Sequence, residues 1–468
     1  MMKDFKNIKT IKDLKKVNYQ ILPINTEMRK NIIDKLKKKE PIFQGIIGYE
    51  TSVIPQIENA ILSGHNMIFL GERGQAKTRI IRNLLNLLDP FVPAISGCEI
   101  SDNPYNPICK SCNEKIKKSG DEVEITWIPR NIRYGEKLAT PDVSIADLIG
   151  EVDPIRVAEG RYLSDELTIH FGLIPRTNRG IFSINELPDL PEKVQVGLFN
   201  IMEERDVQIK GYKVQLPLDM CIVASANPED YTSRGRIITP LKDRFESQIR
   251  THYPKDRKTE ISIMEQERIN FSNDDFKLYV PHFIKEIIAE ITLAARESHD
   301  INQKSGVSVR MSIANLESII SNAEKRAIIL KENEIVPRMS DMHSILPSTS
   351  GKIEIEYLGE DKKEDDVIKG IMQKSVKKVF DQYFSPNQLQ KVVDSFKGGW
   401  VVEVSDQMPS TEYLEGLAKI EGLKEGVEKL GNSKSTPAIA SAVEFIFEGL
   451  HLYNKLNKAE VNGKIVYR

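Results

Sequence analysis

The chain has 468 residues and a formal net charge of -2, with 29% charged and 40% hydrophobic residues. This balance is ordinary for a soluble globular protein, allows two or three domains, and argues against general affinity for nucleic acid. Lysines interrupt the N-terminal stretch MMKDFKNIKTIKDLKK, which therefore lacks the apolar segment of a signal peptide, and no later apolar run approaches the roughly 20 residues of a membrane helix. We expect a cytoplasmic protein that does not enter a membrane.

The first 42 residues are predicted to form an N-terminal helical segment. Residues 1–40 carry twelve Lys or Arg against five Asp or Glu, and apolar residues recur at helical spacing at Ile32, Ile33 and Leu36. A charge-rich helix of this kind usually presents a solvated face. We therefore assign no binding role to this segment.

Residues 43–255 show short apolar strands that alternate with helical stretches. The predicted strands are MIFL (67–70), EITWI (124–128), GIFSI (180–184) and MCIVASA (220–226). Apolar strands separated by helices indicate a parallel sheet with both faces covered, so we predict an α/β fold for this part of the chain.

A phosphate-binding loop is predicted directly after the first strand. The usual pattern is GxxxxGK[ST], and this chain has GERGQAKT, with the nucleotide-binding candidates Gly71, Glu72, Arg73, Gly74, Gln75, Ala76, Lys77 and Thr78. Lysine supplies charge between the β and γ phosphates, and the threonine hydroxyl completes Mg²⁺ coordination. Alanine replaces the second glycine, and its methyl group is tolerated if residue 76 has helical dihedrals.

Three of the four cysteines lie close together, in GCEISDNPYNPICKSC. Cys98, Cys109 and Cys112 form a C-x10-C-x2-C pattern. Two cysteines at this short spacing suit a zinc knuckle, but tetrahedral zinc needs a fourth ligand and no histidine lies nearby. The alternatives are reduced structural thiols and redox or disulfide chemistry. Cys221 lies in a predicted buried strand, where a structural role is expected.

Two later strands end in polar residues that suit nucleotide hydrolysis. The strand 180–184 delivers Asn185 and Glu186 to the carboxyl edge of the sheet, where open α/β sheets bind ligands. Glu186 is the candidate base for water, although it also suits a helix N-terminus. Asn227 follows the strand 220–226 and is placed to orient water or contact the γ phosphate. Between these strands, ERDVQIKGYKVQLPLDM alternates about a Lys210-Gly211 turn and predicts a hairpin.

Arg244 in PLKDRF and Arg310 in GVSVRMSIANL complete the set of catalytic candidates. Each arginine taken alone is better explained as a member of a surface salt bridge. Residues 256–346, which contain Arg310, have apolar residues every three or four positions and predict a helical lid domain. We predict an exposed linker at 347–366 and a helical region at 367–468.

The chain resembles an AAA+ ATPase. The resemblance lies in the order of its motifs: the phosphate loop, the strand-terminal acid, the strand-terminal asparagine and the two arginines. Within that superfamily, residues 43–345 resemble the MoxR and magnesium-chelatase ATPase-subunit branch, through FQGIIGYE, GERGQAKT, FGLIPRTNRGIFSINELPDL, ASANPEDY and PLKDRF. MoxR-type loops often carry alanine before the lysine. The resemblance implies an AAA+ P-loop NTPase core, with a parallel five-stranded sheet between helices and a C-terminal helical lid. It also implies insertions at DPIRVAEGRYLSDELTIHFGLIPRTNRG and at the predicted hairpin.

The same resemblance implies the reaction and the partners. ATP and Mg²⁺ would bind at the loop, with Thr78 and Asn185 on the metal side, and hydrolysis would occur between subunits of a homo-oligomeric ring, as in a hexamer. Arg244 would act in trans on the γ phosphate of a neighbour, and Arg310 would couple the nucleotide to the lid. A protein with a von Willebrand factor A domain is the implied partner.

One residue departs from the family pattern. The usual acid pair is Asp-Glu, whereas this chain has Asn185-Glu186. Asparagine keeps an oxygen ligand but lacks the negative charge that favours the dication. We therefore expect weaker magnesium binding or slower turnover than in relatives with Asp, and a gain for Asn185→Asp.

Three functions remain open on the sequence. The first is an ATPase motor that remodels a client or loads it with metal. The second is a nucleotide-binding scaffold that turns over slowly or not at all because of Asn185. The third is a DNA translocase, which the lack of a basic, aromatic-rich surface pattern disfavours.

Overall fold

The computed structural model of the chain describes residues 7–468 except 154, 156–165, 205–206, 210–211, 215, 228–234, 271–275, 304, 357–362, 432–434 and 462–463. The chain divides into two units, Met1–His252 and Tyr253–Arg468. Among the described residues, no helix combines the length and the apolar character needed to cross a membrane.

A parallel five-stranded sheet forms the centre of the first unit. Its strands in chain order are β1 (Met67–Leu70), β2 (Tyr134–Leu138), β3 (Gly180–Asn185), β4 (Met220–Ala226) and β5 (Ser247–Arg250). The order across the sheet is β5-β1-β4-β3-β2, and every neighbouring pair is parallel. The predicted α/β core with a parallel five-stranded sheet is confirmed. Because the strands are parallel, their carboxyl ends meet at one edge.

Side chains of β1 alternate between two hydrophobic clusters. Ile68 and Leu70 pack into one cluster, and Met67 and Phe69 into the other. Every residue of β1 and β3 is buried, because helices cover both faces of the sheet. The helices of this unit are Ile11–Lys16, Ile24–Lys38, Val53–Ser63, Lys77–Asn83, Lys110–Ser119, Ile145–Leu148, Leu173–Arg176, Glu192–Glu204 and Thr239–Asp243.

One predicted strand forms but does not join the parallel sheet, and two strands of that sheet were not predicted. Ile125–Pro129 lies outside the main sheet and pairs antiparallel with Phe91–Ile95. The missed strands β2 and β5 lie at the two edges of the sheet and read YGEKL and SQIR. Edge strands tolerate polar and charged residues, so neither one shows the apolar run by which a central strand is recognised.

The N-terminal segment belongs to the first unit rather than forming a solvated appendage. Helix Ile24–Lys38 buries Ile24, Met28 and Ile32 in the cluster that also contains Met67 and Phe69. Only its other face carries the exposed lysines. The excess of Lys and Arg in this segment therefore reflects the exposed face of a helix whose other face packs on the first unit.

Two small antiparallel pairs lie in, or directly beside, the segments predicted as insertions. Gly150–Val152 pairs with Ile169–Phe171, and Val207–Ile209 pairs with Tyr212–Val214. The second pair confirms the predicted hairpin, although its Lys210-Gly211 turn lies outside the described residues. Most of the stretch that joins the first pair lies outside them as well.

The second unit is mainly helical. Its helices are Arg257–Glu267, His282–Glu297, Arg310–Leu330, Leu346–Ser350, Glu364–Tyr383, Gln390–Lys397, Ser410–Lys419, Leu423–Leu430 and Thr436–Leu452. Lys277–Leu278 pairs in parallel with Glu334–Ile335, and a three-stranded antiparallel sheet contains Val402–Val404, Lys464–Tyr467 and Lys458–Val461.

The predicted lid and C-terminal regions share one hydrophobic cluster. Phe283, from the predicted lid, stacks on Phe445, from the last helix, with ring centroids 4.5 Å apart. Part of the predicted linker is ordered, because Leu346–Ser350 is helical and Ile353 is buried. The domain boundaries at 346 and 366 stay predictions.

Candidate nucleotide-binding site

The loop between β1 and the helix Lys77–Asn83 needs glycine at two positions. Gly74 has φ 75°, in the left-handed region that glycine adopts at little cost. At Gly71, an added Cβ would lie 1.9 Å from Thr251 Oγ1 and 2.3 Å from Gln75 Oε1. The loop backbone therefore approaches the end of β5 as closely as a residue without a side chain allows.

Ala76 does not have the right-handed helical dihedrals under which its methyl group would be harmless. Its φ is 57° and its ψ is 16°, which is left-handed. That conformation costs an L-residue with a Cβ roughly 1–2 kcal/mol. The loop thus keeps the backbone geometry of the usual glycine while carrying alanine.

Tyr49 anchors the loop from outside. Its hydroxyl lies 3.0 Å from the carbonyl oxygen of Gln75 and 2.7 Å from that of His252, so its one proton can be donated to either oxygen. Burial raises the pKa of Tyr49 to about 12. On the other side, Thr251 Oγ1 donates to Gln75 Oε1 at 2.6 Å. The motif FQGIIGYE contains Tyr49, but the sequence alone indicated no role for this residue.

Lys77, Asn227 and Glu186 come together in one hydrogen-bonded chain. The buried Lys77 ammonium donates to the carbonyl oxygens of Gly71 and Glu72, the latter at 3.0 Å, and to Asn227 Oδ1 at 2.7 Å. Asn227 Nδ2 in turn donates to Glu186 Oε2 at 3.0 Å. The cation and the carboxylate fix the orientation of the amide, since only its oxygen accepts and only its nitrogen donates.

The backbone of Glu186 is left-handed, with φ 55° and ψ 48°. Residues other than glycine adopt this region rarely, and such positions concentrate at functional sites. The conformation lets the chain turn sharply after β3 and points the carboxylate toward the end of β4. Thr78, in the first turn of the helix after the loop, is half-buried.

Asn185 is held by a carboxylate that sequence reasoning missed. Its Nδ2 donates to Glu136 Oε1 at 2.7 Å, and its Oδ1 accepts from Ser225 Oγ at 3.3 Å. Glu136 lies on the unpredicted edge strand β2 and also receives a two-point contact from Arg82 at 2.9 and 3.0 Å. Burial acts to raise the pKa of Glu136, but the hydrogen bonds from Arg82, Tyr134 and Asn185 outweigh burial and lower it.

The two arginine candidates lie in different units. Arg244 follows the helix Thr239–Asp243, where its Nε lies 2.7 Å from Glu203 Oε2 and its guanidinium lies 5.6 Å from the Phe199 ring centroid. Its side chain keeps 36% of its surface exposed. Arg310 is the exposed first residue of helix Arg310–Leu330 in the second unit.

The three clustered cysteines converge, and Asp102 joins them. The Sγ atoms of Cys98, Cys109 and Cys112 and a carboxylate oxygen of Asp102 all lie within 4.8 Å of one another. Hydrogen bonds from the Cys109 and Cys112 thiols lower the pKa of Cys98 to about 3, and burial raises that of Asp102. Asp102 was not predicted as a fourth ligand, because only histidine was considered for that position. Cys221 is buried in β4, where burial raises its pKa to about 12.

Sequence comparisons connect the chain to one protein family and to two curated relatives. The family described as the Sigma-54 interaction domain matches residues 158–246. Magnesium-chelatase subunit ChlI of Euglena gracilis is 25% identical over 247 residues, which cover 51% of this chain and 66% of the relative. Chaperone MoxR1 of Mycobacterium tuberculosis is 23% identical over 226 residues, which cover 44% of this chain and 57% of the relative. The chain thus spans less than two thirds of either curated relative.

Among solved structures, a chain from the complex between subunits BchI and BchD of magnesium chelatase is 18% identical. The match covers 67% of this chain and 96% of that one with a TM-score of 0.36, which is too low to carry an argument. The sequence matches, together with the parallel sheet and the phosphate-type loop, identify the chain as an AAA+ protein related to the MoxR and magnesium-chelatase ATPase subunits.

Proposed function

We propose that this chain binds ATP with Mg²⁺ and hydrolyses the γ phosphate as an AAA+ motor of the MoxR and magnesium-chelatase type. The supporting observation is the hydrogen-bonded chain Lys77–Asn227–Glu186, which joins the loop lysine, an amide at the end of β4 and a carboxylate at the end of β3. A structural salt bridge needs no intervening amide, whereas hydrolysis needs a cation for phosphate, a group that orients water and a base.

The loop fits a polyphosphate in shape and in charge. Gly71 has no room for a Cβ and Gly74 has a left-handed backbone, and in a loop of this kind the N–H groups would face phosphate oxygens beside the buried Lys77 ammonium. Lys77 has three N–H donors, and a phosphate oxygen would replace at least one of its protein acceptors. Thr78 and Asn185 are the residues assigned to magnesium, which when bound neutralises charge on the phosphate oxygens.

The proposed division of labour assigns each remaining residue one role. Glu186 accepts the proton of the attacking water, and Asn227 orients that water. The main-chain carbonyls and Asn227 that now hold Lys77 release it as phosphate binds. Asn227 then exchanges its lysine contact for the substrate while its Nδ2 keeps Glu186 in place.

Two substitutions separate binding from chemistry. Lys77→Ala should abolish binding of a fluorescent ATP analogue, and Glu186→Gln should leave binding intact while lowering steady-state ADP release at least about a hundredfold. Glu192→Gln, on the exposed start of helix Glu192–Glu204, is the matched control and should behave as wild type. Equal turnover in Glu186→Gln and wild type would refute the catalytic assignment.

The assembly and the client belong to the same proposal. The two curated relatives are named a chelatase subunit and a chaperone, which supports action on a client within a larger assembly. We assign a homo-oligomeric ring such as a hexamer, with Arg244 acting in trans and Arg310 coupling the nucleotide to the helical lid. A von Willebrand factor A domain protein is the proposed partner, and the cytoplasm the proposed compartment.

Asn185 supports a second candidate, a nucleotide-binding scaffold with slow turnover. Its amide is committed to Glu136 and Ser225, so it brings a neutral oxygen where an aspartate would bring charge. Turnover measured at saturating ATP and Mg²⁺ decides between the two functions. Stoichiometric ATP binding with no ADP release above that of Glu186→Gln would favour the scaffold.

A further inference from the structure

We propose that Cys98, Asp102, Cys109 and Cys112 bind one Zn²⁺ ion in a closed structural site. These residues lie on the loop between strand Phe91–Ile95 and helix Lys110–Ser119 and at the start of that helix. The proposal concerns the stability of this region and does not depend on nucleotide hydrolysis. In this proposal Asp102 is the fourth ligand that completes zinc coordination. The sequence alone leaves the three cysteines without an assigned role.

The spacing of the four ligand atoms suits a single tetrahedral ion. With Zn–S bonds of about 2.3 Å, sulfurs around tetrahedral zinc lie about 3.8 Å apart. In this structure Cys98 Sγ and Cys109 Sγ are 4.0 Å apart, and all four ligand atoms fit within 4.8 Å. Shifts of about 0.5 Å at each ligand atom would bring them to a common centre. Three sulfurs and one oxygen are a donor set that zinc accepts.

Asp102 is oriented in the way that a metal ligand is. Its side chain is fully buried, and its carboxylate accepts the backbone N–H groups of Ile108 at 3.1 Å and Cys109 at 2.9 Å. Oδ2 accepts both of these bonds, so Oδ1, which only shares the Ile108 N–H at 3.1 Å, keeps a lone pair for an ion. In known metal sites, hydrogen bonds of this kind hold the residues that bind the ion in the correct orientation. A buried carboxylate among three sulfurs otherwise lacks a compensating charge in this cluster.

Backbone N–H groups also point at two of the sulfurs. The N–H of Asp102 lies 3.4 Å from Cys98 Sγ, and that of Cys112 lies 3.3 Å from Cys109 Sγ. Cys109 is the N-cap of helix Lys110–Ser119, so its sulfur faces the positive end of the helix dipole. Both features direct backbone N–H groups at sulfurs that would ligate the ion, as outer hydrogen bonds do in metal sites.

The cluster is tied to the segment that enters β3. Asn178 Nδ2 donates to Ile100 O at 3.1 Å, and the Arg179 guanidinium donates to Pro93 O at 2.7 Å and to Ser101 O at 3.3 Å. Both donors directly precede β3. An ion bound by the four ligands would therefore fix the loop against the base of a central strand, which is a structural role.

The first test is the zinc content of tag-free, full-length protein, measured by inductively coupled plasma mass spectrometry. Wild type should contain one zinc per chain, and Cys112→Ser should lose it. Cys221→Ala removes the remaining cysteine, outside the cluster, and should retain zinc. Wild-type protein without zinc, which also fails to bind added Co²⁺ with thiolate charge-transfer absorption, would overturn the proposal. That cobalt measurement needs no variant and so is independent of misfolding.

The second test isolates Asp102. Asp102→Asn keeps an acceptor oxygen for the backbone N–H groups but loses the charge, so zinc affinity in competition with a chromophoric chelator should fall at least about tenfold. Asp102→Cys offers a fourth thiolate and should bind zinc at least as tightly as wild type. Equal affinity of wild type and Asp102→Asn would remove Asp102 from the ligand set. A Cys98–Cys109 disulfide found by mass spectrometry in unreduced protein would replace the metal with redox chemistry.

Discussion

Ala76 has a side chain at a position of the loop whose backbone conformation favours glycine. Its φ of 57° is left-handed, and its methyl group is exposed, so glycine would lose no packing. We predict that Ala76→Gly raises the free energy of unfolding by about 1 kcal/mol, because the relief of backbone strain exceeds the added entropy of the unfolded chain. Urea unfolding of the two proteins measures the difference.

The matched control is Ala60→Gly, in the interior of helix Val53–Ser63. There the backbone is helical and the methyl group is buried, so the same substitution should destabilise by about 1 kcal/mol or more. Changes of the same sign at both positions would show that the conformation of residue 76 does not control the effect.

The Asn185–Glu136 contact changes what is expected of Asn185→Asp. An aspartate cannot donate to Glu136 Oε1, and it would set two carboxylates about 2.7 Å apart. We predict that Asn185→Asp lowers the free energy of unfolding by about 2 kcal/mol, through the lost charge-assisted bond and the new repulsion. Urea unfolding near neutral pH measures the loss.

The gain in magnesium-dependent turnover predicted from sequence should then require a second change. Glu136→Gln with Asn185→Asp restores a donor–acceptor pair and leaves one negative charge at residue 185. Magnesium-dependent ADP release should exceed wild type in this double variant, with Glu136→Gln alone as the control. A single Asn185→Asp variant of full stability would show that Glu136 does not hold Asn185.

The sequence pointed to some residues of the candidate site and missed others for a physical reason. Lys77, Glu186 and Asn227 were predicted because each lies beside an apolar strand or within a glycine loop, patterns that also fix their position in space. Glu136 and Asp102 lie on an edge strand and in a turn, where no periodicity marks them. Only the folded backbone brings these two carboxylates to their partners.

At the scale of elements, one buried ion pair fastens helix Ile24–Lys38 to the sheet. Arg133 NH1 and NH2 donate to the two Glu27 oxygens at 2.8 and 2.6 Å, and both side chains are 3% exposed. Glu27 Oε1 also accepts from the Asp89 N–H. The pair therefore joins the N-terminal segment, the loop after the phosphate-loop helix and the start of β2.

We predict that Glu27→Ala lowers the free energy of unfolding by about 3–5 kcal/mol, because it leaves the Arg133 guanidinium buried without its counter-charge. The double variant Glu27→Met with Arg133→Met should recover much of the loss. Glu122→Ala breaks the exposed Lys12–Glu122 pair and should cost less than about 0.5 kcal/mol. Denaturant unfolding compares all three, and similar losses at Glu27 and Glu122 would contradict the argument.

The accuracy of the strand predictions followed burial. The buried central strands β1, β3 and β4 are mainly apolar and were predicted with nearly their observed bounds. The antiparallel strand Ile125–Pro129 has the same apolar character, so composition alone could not exclude it from the sheet. Pairing partners depend on the whole fold, and a local pattern does not encode them.

At the scale of the whole molecule, the proposed ring makes hydrolysis a property of the interface between subunits. Arg244 is partly exposed and held by Glu203 of its own chain, so reaching a neighbour requires it to exchange that partner. We predict that Arg244→Ala keeps ATP binding but loses turnover by about 10³-fold or more. Coupled ADP-release and nucleotide-binding assays measure both quantities.

Mixing two inactive variants tests whether the arginine acts in trans. An equal mixture of Lys77→Ala and Arg244→Ala chains creates interfaces with an intact loop on one side and an intact arginine on the other, about a quarter of all interfaces under random assembly. Activity should return toward that fraction. A mixture of Lys77→Ala with the Lys77→Ala/Arg244→Ala double variant contains no intact loop and should stay inactive. If the first mixture does not regain ATPase activity, Arg244 acts in cis.

The overall division of the chain was harder to predict than its core. Helices of the second unit show the expected periodicity, but Phe283 and Phe445, far apart in sequence, pack in one cluster. Apolar spacing shows which face of a helix is buried, not which helix covers it. The short antiparallel sheet that contains Val402–Val404 gave no sequence signal for the same reason.

The oxygen partners of Lys77 have a consequence for selectivity. Because main-chain carbonyls and Asn227 already satisfy the ammonium, an incoming anion gains only the difference between its own oxygens and those it displaces. Chloride or a single sulfate would offer few contacts beyond those it displaces, whereas a chain of phosphates would contact the lysine and the loop amides together. The loop would therefore reject small anions common in the cell before any part of the base is recognised.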